Sequence, residues 1–378
     1  MLLSIIIFVF TLFVLVIIHE LGHFFAAKKF GIKVLEFGFG IPPRAWGKKF
    51  GETLVSLNWL PVGGFVRLLG EDEEDKAVRD DKRSFAAQTV EKRILVVLAG
   101  VLMNFLAAWV LFYIVLSAQN FKVQLPLLVP NQFVGVEQNI SSLVLVDGVQ
   151  DGTPASDAGL KQGDRIVAIN GEKISADDQI VEKTKQLAGA PVKFTISDPQ
   201  GTSEKVVEIT PRKNPPEGQG PLGVRLAQIR LAELEYKTPT QKLFSGITHS
   251  WNLISYSGKI MGTLISESFK QKNLEPVSQS VAGPVGITSL ANSVLTSTDK
   301  PLIPYLDFVA LISLNLAVMN LLPIPALDGG RLFFLLVEFV TRKKVHAGFE
   351  RWVHTIGMAI LLLLTLLITY SDIRKFFN

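Results

Sequence analysis

Apolar residues in this chain fall into long unbroken runs near its two ends and into short, interrupted runs in its middle. The first run, residues 2–27, exceeds the roughly 20 residues, at about 1.5 Å each, that a helix needs to cross a bilayer. It has no basic leading segment and outlasts a usual signal-peptide core, so it reads as a span and not as a cleaved leader. Ile94–Ala118 is a second span. Tyr305–Val340 is too long for one ordinary span and is interrupted by Asn315, Asn320, Pro323, Pro325, Asp328, Gly329 and Gly330. Prolines two apart end a helix by removing donors and colliding with earlier carbonyls, and broken helices occur at membrane depth where they line a cavity. Val353–Tyr370 is the fourth span.

The segments between the spans carry β patterning. Phe37–Gly70 is punctuated by Gly and Pro, with Glu52–Asn58 as a strand, Pro61-Val62-Gly63-Gly64 as a turn and Phe65–Leu68 as a returning strand. Its apolar tip predicts a re-entrant β-loop dipping toward the membrane. The mixed-charge stretch Glu71–Arg93 reads as a solvated connection. Farther on, Asp157–Leu160 is expected as a short helix closing on Gly159, Arg165–Ile169 as a strand, and Asn170-Gly171 as a tight hairpin turn. Ala176–Leu187 reads as a helix, Val192–Ile196 and Lys205–Ile209 as strands, and Pro211–Gly223 as a linker. Thr240–Lys270 is an amphipathic helical stretch with Trp251, Leu253, Ile254, Ile260 and Leu264 on its apolar side, suited to a membrane surface or to packing on the external region.

At 378 residues, 48% hydrophobic and 19% charged, the chain is too apolar for an ordinary soluble protein and too charged to lie wholly in a membrane. The expected fold is a polytopic α-helical membrane protein with four transmembrane segments, a re-entrant β-loop and an inserted α+β domain. Residues 1–118 would hold the first two spans and the β-loop, 130–212 the inserted domain, 213–304 a linker and the amphipathic region, and 305–378 the last two spans. A net charge of +4 gives no reason to expect a nucleic-acid partner. The positions of the basic residues say more: Lys28, Lys29 and Lys33 follow the first span, Lys92-Arg93 precede the second, and Arg342-Lys343-Lys344 follow the third. By the positive-inside rule both termini and the inserted domain lie outside, with the two basic loops in the cytoplasm.

The chemistry is concentrated at His19-Glu20-Leu21-Gly22-His23, at the inner end of the first span. Histidines four apart on a helix differ by about 40° around its axis, so both can reach one metal while Glu20 reaches a water on it. This is the arrangement of zinc peptidases, with the glutamate as general base. Ionisable groups inside a span are costly and are generally functional. Cysteine is absent, which excludes disulfides and thiolate ligands, so a third ligand must be His, Asp or Glu. Asp328, an acid within the broken third region, is the first choice by elimination, and His354, beside the second basic loop, is the alternative.

These segments together resemble the site-2 proteases, intramembrane zinc metalloproteases that include the bacterial regulator-of-sigma-E proteases. His19-Glu20-Leu21-Gly22-His23 matches their first motif and Asn320-Leu-Leu-Pro323-Ile-Pro325-Ala-Leu327-Asp328-Gly329 their second. Pro61-Val62-Gly63-Gly64-Phe65-Val66 is similar to their re-entrant loop, and Gly283-Pro284-Val285-Gly286-Ile287 to a further segment before the third span. Ala158-Gly159-Leu160, Gly163-Asp164 and Ile169-Asn170-Gly171 resemble a bacterial PDZ domain. Ala99-Gly100-Val101 departs from the family's usual Ala-Gly-Pro, and one PDZ-like unit is recognisable where the enterobacterial members have two.

The resemblance implies Zn2+ on His19, His23 and Asp328 and a catalytic Glu20 in a multi-pass protein of the bacterial cytoplasmic membrane, active toward the cytoplasmic side. Substrate-binding roles fall to Asn320, as a donor to the substrate backbone or oxyanion, and to Gly63, Gly64 and Phe65 of the loop. The substrates implied are single-pass membrane proteins, such as anti-sigma factors or remnant signal peptides, with peptide segments held at the PDZ-like domain. Three other classes are open to the same residues. A membrane-anchored peptidase facing the cytosol draws a glutamate ligand from a further helix, a scaffold has no use for the buried His and Asp, and a transporter requires internal repeats, which the sequence lacks.

Overall fold

The computed structural model describes residues 2–71, 76–79, 81–198, 203–273, 275–296 and 300–377. Residues 72–75 and 80 of the expected solvated connection lie outside the described residues. The elements begin with α1 (Leu2–Lys29), β1 (Val34–Phe50), β2 (Thr53–Leu68), α2 (Lys76–Arg79) and α3 (Val90–Ala118). Next come β3 (Lys122–Pro126), β4 (Glu137–Val149), α4 (Pro154–Asp157), β5 (Arg165–Ile169), β6 (Glu172–Lys173), α5 (Asp177–Gln186), β7 (Val192–Ser197), β8 (Glu204–Ile209) and β9 (Val224–Glu235). The chain closes with α6 (Pro239–Leu243), α7 (Ser245–Gln271), α8 (Glu275–Ser280), α9 (Pro284–Thr296), α10 (Leu302–Leu321), α11 (Asp328–Thr341) and α12 (Ala347–Phe377).

Among the described residues four stretches are long and apolar enough to cross a membrane: α1, α3, α10 and residues 348–374 of α12. The chain is a multi-pass membrane protein with an inserted, sheet-rich domain. It divides into two compact units, one of Met1–Ala118, Leu243–Ile254 and Met261–Asn378, the other of Gln119–Lys242 and Ser255–Ile260.

In the first unit α3 is central, with α1 and α10 packed along it. Ala108 and Phe112 meet Ala310 and Leu314, while Leu15 meets Tyr305 and Val309. Without water, polar groups in such an interior need internal partners. Ser313 donates to the Asn104 carbonyl at 2.9 Å, and the Thr11 and Tyr305 hydroxyls pair at 2.8 Å. The Gly283–Ile287 segment also finds its reason here. Asp372 of α12 accepts the Gly286 amide at 2.8 Å at the start of α9, and a Cβ on Gly283 would press on Ile368.

The β-loop differs from the simple hairpin that its sequence suggests. Residues 36–39 of β1 pair on one side with 64–67 (Glu36 with Arg67, Phe39 with Gly64) and on the other with 54–57 (Glu36 with Leu54, Phe39 with Leu57). Residues 44–50 add outside 53–58, with Arg44 opposite Asn58 and Phe50 opposite Thr53. The returning strand Phe65–Leu68 therefore does not pair with Glu52–Asn58, because Glu36–Phe39 lies between them. Pro42 and Pro43, which lack amide donors, occupy the fold-over of β1, and Gly63, at φ +79°, occupies that of β2. Buried Glu36 is paired with Arg44 at 2.9 Å and Arg67 at 3.5 Å. At the opposite end Glu52 takes hydrogen bonds from Arg83 and Lys28, which hold its carboxyl down to about 2.

In the second unit the seven strands run β3-β9-β4-β5-β7-β8, with β6 paired to β5. Asn170 and Gly171, both at positive φ, make the tight β5–β6 turn. Val144, Val146, Ile166, Ile169, Ile180, Phe194, Ile196 and Leu222 form its core. The expected boundary at residue 212 falls inside this fold. The Pro/Gly-rich stretch is pinned by Arg212 N–H to the Pro221 carbonyl and by Ala155 N–H to that of Leu222, and β9 then pairs along β4. Its alternating Ala232 and Leu234 are buried with Leu127, Phe133 and Tyr256.

Candidate metal centre

The two histidines lie on the face of α1 that meets α3. That meeting depends on small residues, since a Cβ on Gly22 would strike the Ala99 carbonyl and one on Gly100 would strike both imidazoles. Asp328 comes from the first turn of α11, immediately after the Leu322–Leu327 break. The break folds back on that turn so closely that a Cβ on Gly329 would meet the Leu322 carbonyl.

Three side chains converge. Asp328 Oδ2 lies 2.9 Å from His19 Nε2 and 3.2 Å from His23 Nε2, and the two Nε2 atoms are 3.1 Å apart. Among the described residues this is the one group of three or more His, Asp or Glu side chains whose donor atoms fall within 4.8 Å of one another. The His23 Nδ1 proton is donated to the Val96 carbonyl at 2.9 Å, which fixes the ring with Nε2 toward His19 and Asp328. The donor set of two imidazoles and one carboxylate is that of a catalytic zinc site, with the fourth position left for water. Zn2+ is therefore compatible with the residues present.

Glu20 is half-buried one position past His19, against the β-loop. A Cβ on Gly64 would lie 3.2 Å from Glu20 Cγ and 3.5 Å from Val16. The strand 64–67 thus runs beside the carboxylate, and the sheet is held on α1 by Phe39 against Phe13 and Phe37 against Phe24. Phe65 lays its ring over Gly38. Asn320, near the end of α10, is half-buried, and its amide makes no hydrogen bond among the described residues. A cavity of about 950 Å3 opens beside Asp328, lined by Glu71, Arg93, Arg331, Glu338 and His354 among others.

The other histidines do not join the cluster. His249 is buried against Phe112, with ring centroids 5.0 Å apart. His346 accepts the Gly348 amide at 3.2 Å. His354, the alternative ligand, instead accepts the Ala326 amide on Nδ1 at 2.9 Å. Sequence reasoning singled out Ala99-Gly100-Val101 only as a departure from the family pattern and did not reach the role of Gly100 or of the Val96 carbonyl. A small pair, Ala99-Gly100, inside an otherwise bulky apolar span is the one signal that pointed there.

The sequence matches Peptidase family M50 over residues 7–364. A protein of Clostridium perfringens is 34% identical, over 95% of this chain and 95% of its own. The zinc metalloprotease RasP of Geobacillus kaustophilus is 31% identical, over 99% of this chain and 98% of its own. The regulator of sigma-W protease RasP of Bacillus subtilis is 26% identical, over 99% of each chain.

Proposed function

The chain belongs to peptidase family M50 and is a zinc metalloprotease of the site-2 type, and we propose that it cuts peptide bonds in the spanning segments of single-pass membrane proteins, with zinc on His19, His23 and Asp328 and with Glu20 as general base. The convergence of Asp328 Oδ2 on both imidazole Nε2 atoms, with Glu20 next in sequence, carries this reading. Zinc bound there would lower the pKa of a water to about 7 and polarise the scissile carbonyl. A Glu20 oxygen takes the water's proton as the water oxygen bonds to the carbonyl carbon. As the C–N bond breaks, the same oxygen returns that proton to the leaving amine. The Asn320 side-chain amide, which makes no hydrogen bond among the described residues, serves as donor to the substrate backbone or to the developing oxyanion.

Peptide bonds in a spanning helix are occupied by their own hydrogen bonds, so a substrate must be unwound before it is cut. The strand containing Gly64 and Phe65 offers an edge beside Glu20 to which an extended segment can add, and Gly63 supplies the bend that presents it. This use of the edge supports the reading of Phe37–Gly70 as a re-entrant loop. The basic residues at Lys28, Lys29 and Lys33 and at Arg342-Lys343-Lys344 support an orientation in the bacterial cytoplasmic membrane with the site toward the cytoplasm and both termini outside. The function in the Bacillus subtilis relative's name supports substrates of the anti-sigma-factor type, with remnant signal peptides as a second group of the same form. The second unit, as a PDZ-like domain, would bind exposed peptide segments of those substrates.

The test is Glu20→Gln. It should keep about one zinc per chain, as three protein ligands imply, yet leave a membrane-peptide substrate uncut. Residual turnover near that of the wild type would move the base to another residue.

A further inference from the structure

The break before Asp328 is held from an unexpected direction. Pro323 and Pro325 have no amide proton, which leaves few donors between Leu322 and Leu327 to fix the backbone. Ile324 N–H reaches the Leu322 carbonyl at 2.6 Å and Leu327 N–H that of Ile324 at 3.2 Å. Ala326 lies at φ +78°, a left-handed conformation that alanine rarely adopts, and its amide donates to a side chain of another helix, Nδ1 of His354 on α12. The imidazole is confined in its place. A Cβ on Gly330 would lie 3.1 Å from His354 Cε1, one turn farther along α12 a Cβ on Gly357 would strike Pro325, and the Phe334 ring lies 5.9 Å from the imidazole, centroid to centroid.

Resting on the reading of Asp328 as a zinc ligand, we infer that His354 is a positioning residue for it, with Nδ1 holding the strained Ala326 backbone and through it setting where the Asp328 carboxylate points. Only Leu327 separates Ala326 from Asp328, a span of at most about 7 Å of chain, so a shift of the held amide is passed on with little slack. Leu327, the N-cap of α11, contributes no side-chain cap, so the start of that helix has no side-chain hold of its own. The rest of α12 fits the same role. Farther along α12, Asp372 accepts the Gly286 amide, a second side-chain-to-backbone bond from this helix to another segment. A histidine outside the ligand cluster thereby acts on the metal through the backbone.

The experiment uses the full chain with three substitutions. Asparagine places an amide oxygen near the Nδ1 position, glutamine reaches toward Nε2, and leucine offers no acceptor. His354→Leu and His354→Gln should release zinc to a chelator about 10- to 100-fold faster than the wild type, while His354→Asn stays near it. In zinc-stripped protein, hydrogen exchange across residues 322–331 should be faster in the leucine and glutamine variants and unchanged in the asparagine one. In turnover assays of zinc-saturated protein, the loss should fall on kcat, with KM little changed. Wild-type zinc release and exchange in His354→Leu overturns the inference, and so does an asparagine variant no better than the glutamine one. Failure of the ligand reading is distinct from both: Asp328→Ala would keep its zinc, whereas the exchange measurement tests the grip on the break with no metal present. If His354 acts through Asp328, adding His354→Leu to Asp328→Ala should speed zinc release no further.

Discussion

At the scale of single residues, the candidate site depends as much on what is missing as on what is present. Gly100 contributes no functional group, yet a Cβ there would overlap both imidazoles. Gly100→Ala should therefore displace His19 and His23 while leaving the fold, because the collision is with side chains that can turn away. The expected result is zinc affinity weakened by about 10- to 100-fold, the range seen when the support of a ligand is removed, with thermal unfolding of the metal-free protein close to that of the wild type. Metal content after dialysis against a graded chelator series checks it, and unchanged affinity would mean that the rings have room which the geometry denies them. The ligand candidates themselves were legible in the sequence, because a fixed helical period relates His19 to His23 and because an acid inside an apolar region has few bland explanations. The alternative reading of His354 was a fair one on position alone. Its actual partner, a backbone amide 28 residues away, leaves no trace in composition or spacing.

At the scale of elements, the spans and the break in the third apolar region followed from run length and from Pro323 and Pro325, since membrane helices are specified by composition more than by tertiary contacts. The sheet orders were not readable. Insertion of Glu36–Phe39 between two later strands is a long-range pairing, and β9 follows a Pro/Gly-rich stretch that looks like a linker until Leu222 is seen in the core. The join between α3 and α11 was also hidden. Arg93, expected as a basic flank in water, is about nine-tenths buried and paired with Glu338 at 2.6 Å beside Val97, Leu332 and Leu335. Removing one partner of such a pair leaves the other buried and uncompensated, at a cost of about 3–5 kcal/mol, whereas replacing both by apolar residues of similar size is often neutral. Arg93→Met should lower the unfolding midpoint in detergent markedly, and Arg93→Met with Glu338→Leu should recover most of the loss. A double variant as unstable as the single one would show that the charges hold something beyond each other.

At the scale of the whole molecule, the histidines, Glu20, Asp328 and the strand beside them all belong to one compact unit, while β3–β9 form another around a core of their own. The chemistry and the inserted domain should therefore be separable. The structure gives the place to cut: Pro126 and Leu231 are paired neighbours on β3 and β9, so residues 127–230 can be removed and the two strands joined by an Asn-Gly turn. That variant retains every residue assigned to zinc, proton transfer or substrate extension. It should bind zinc and cut a short membrane peptide at a rate close to that of the intact protein, and should differ only in how it handles substrates with bulky external domains. Gly64→Pro makes the opposite case. Proline there removes a backbone donor and disfavours the strand beside Glu20, so turnover should fall for short and full-length substrates alike. The measurement is one detergent assay of both variants on one short and one full-length substrate, with zinc content determined in parallel. If the deletion, folded and zinc-bound, loses activity equally on both substrates, the inserted domain is part of the catalytic machinery. If Gly64→Pro spares the short substrate, the strand acts in selection and not in presenting the scissile bond.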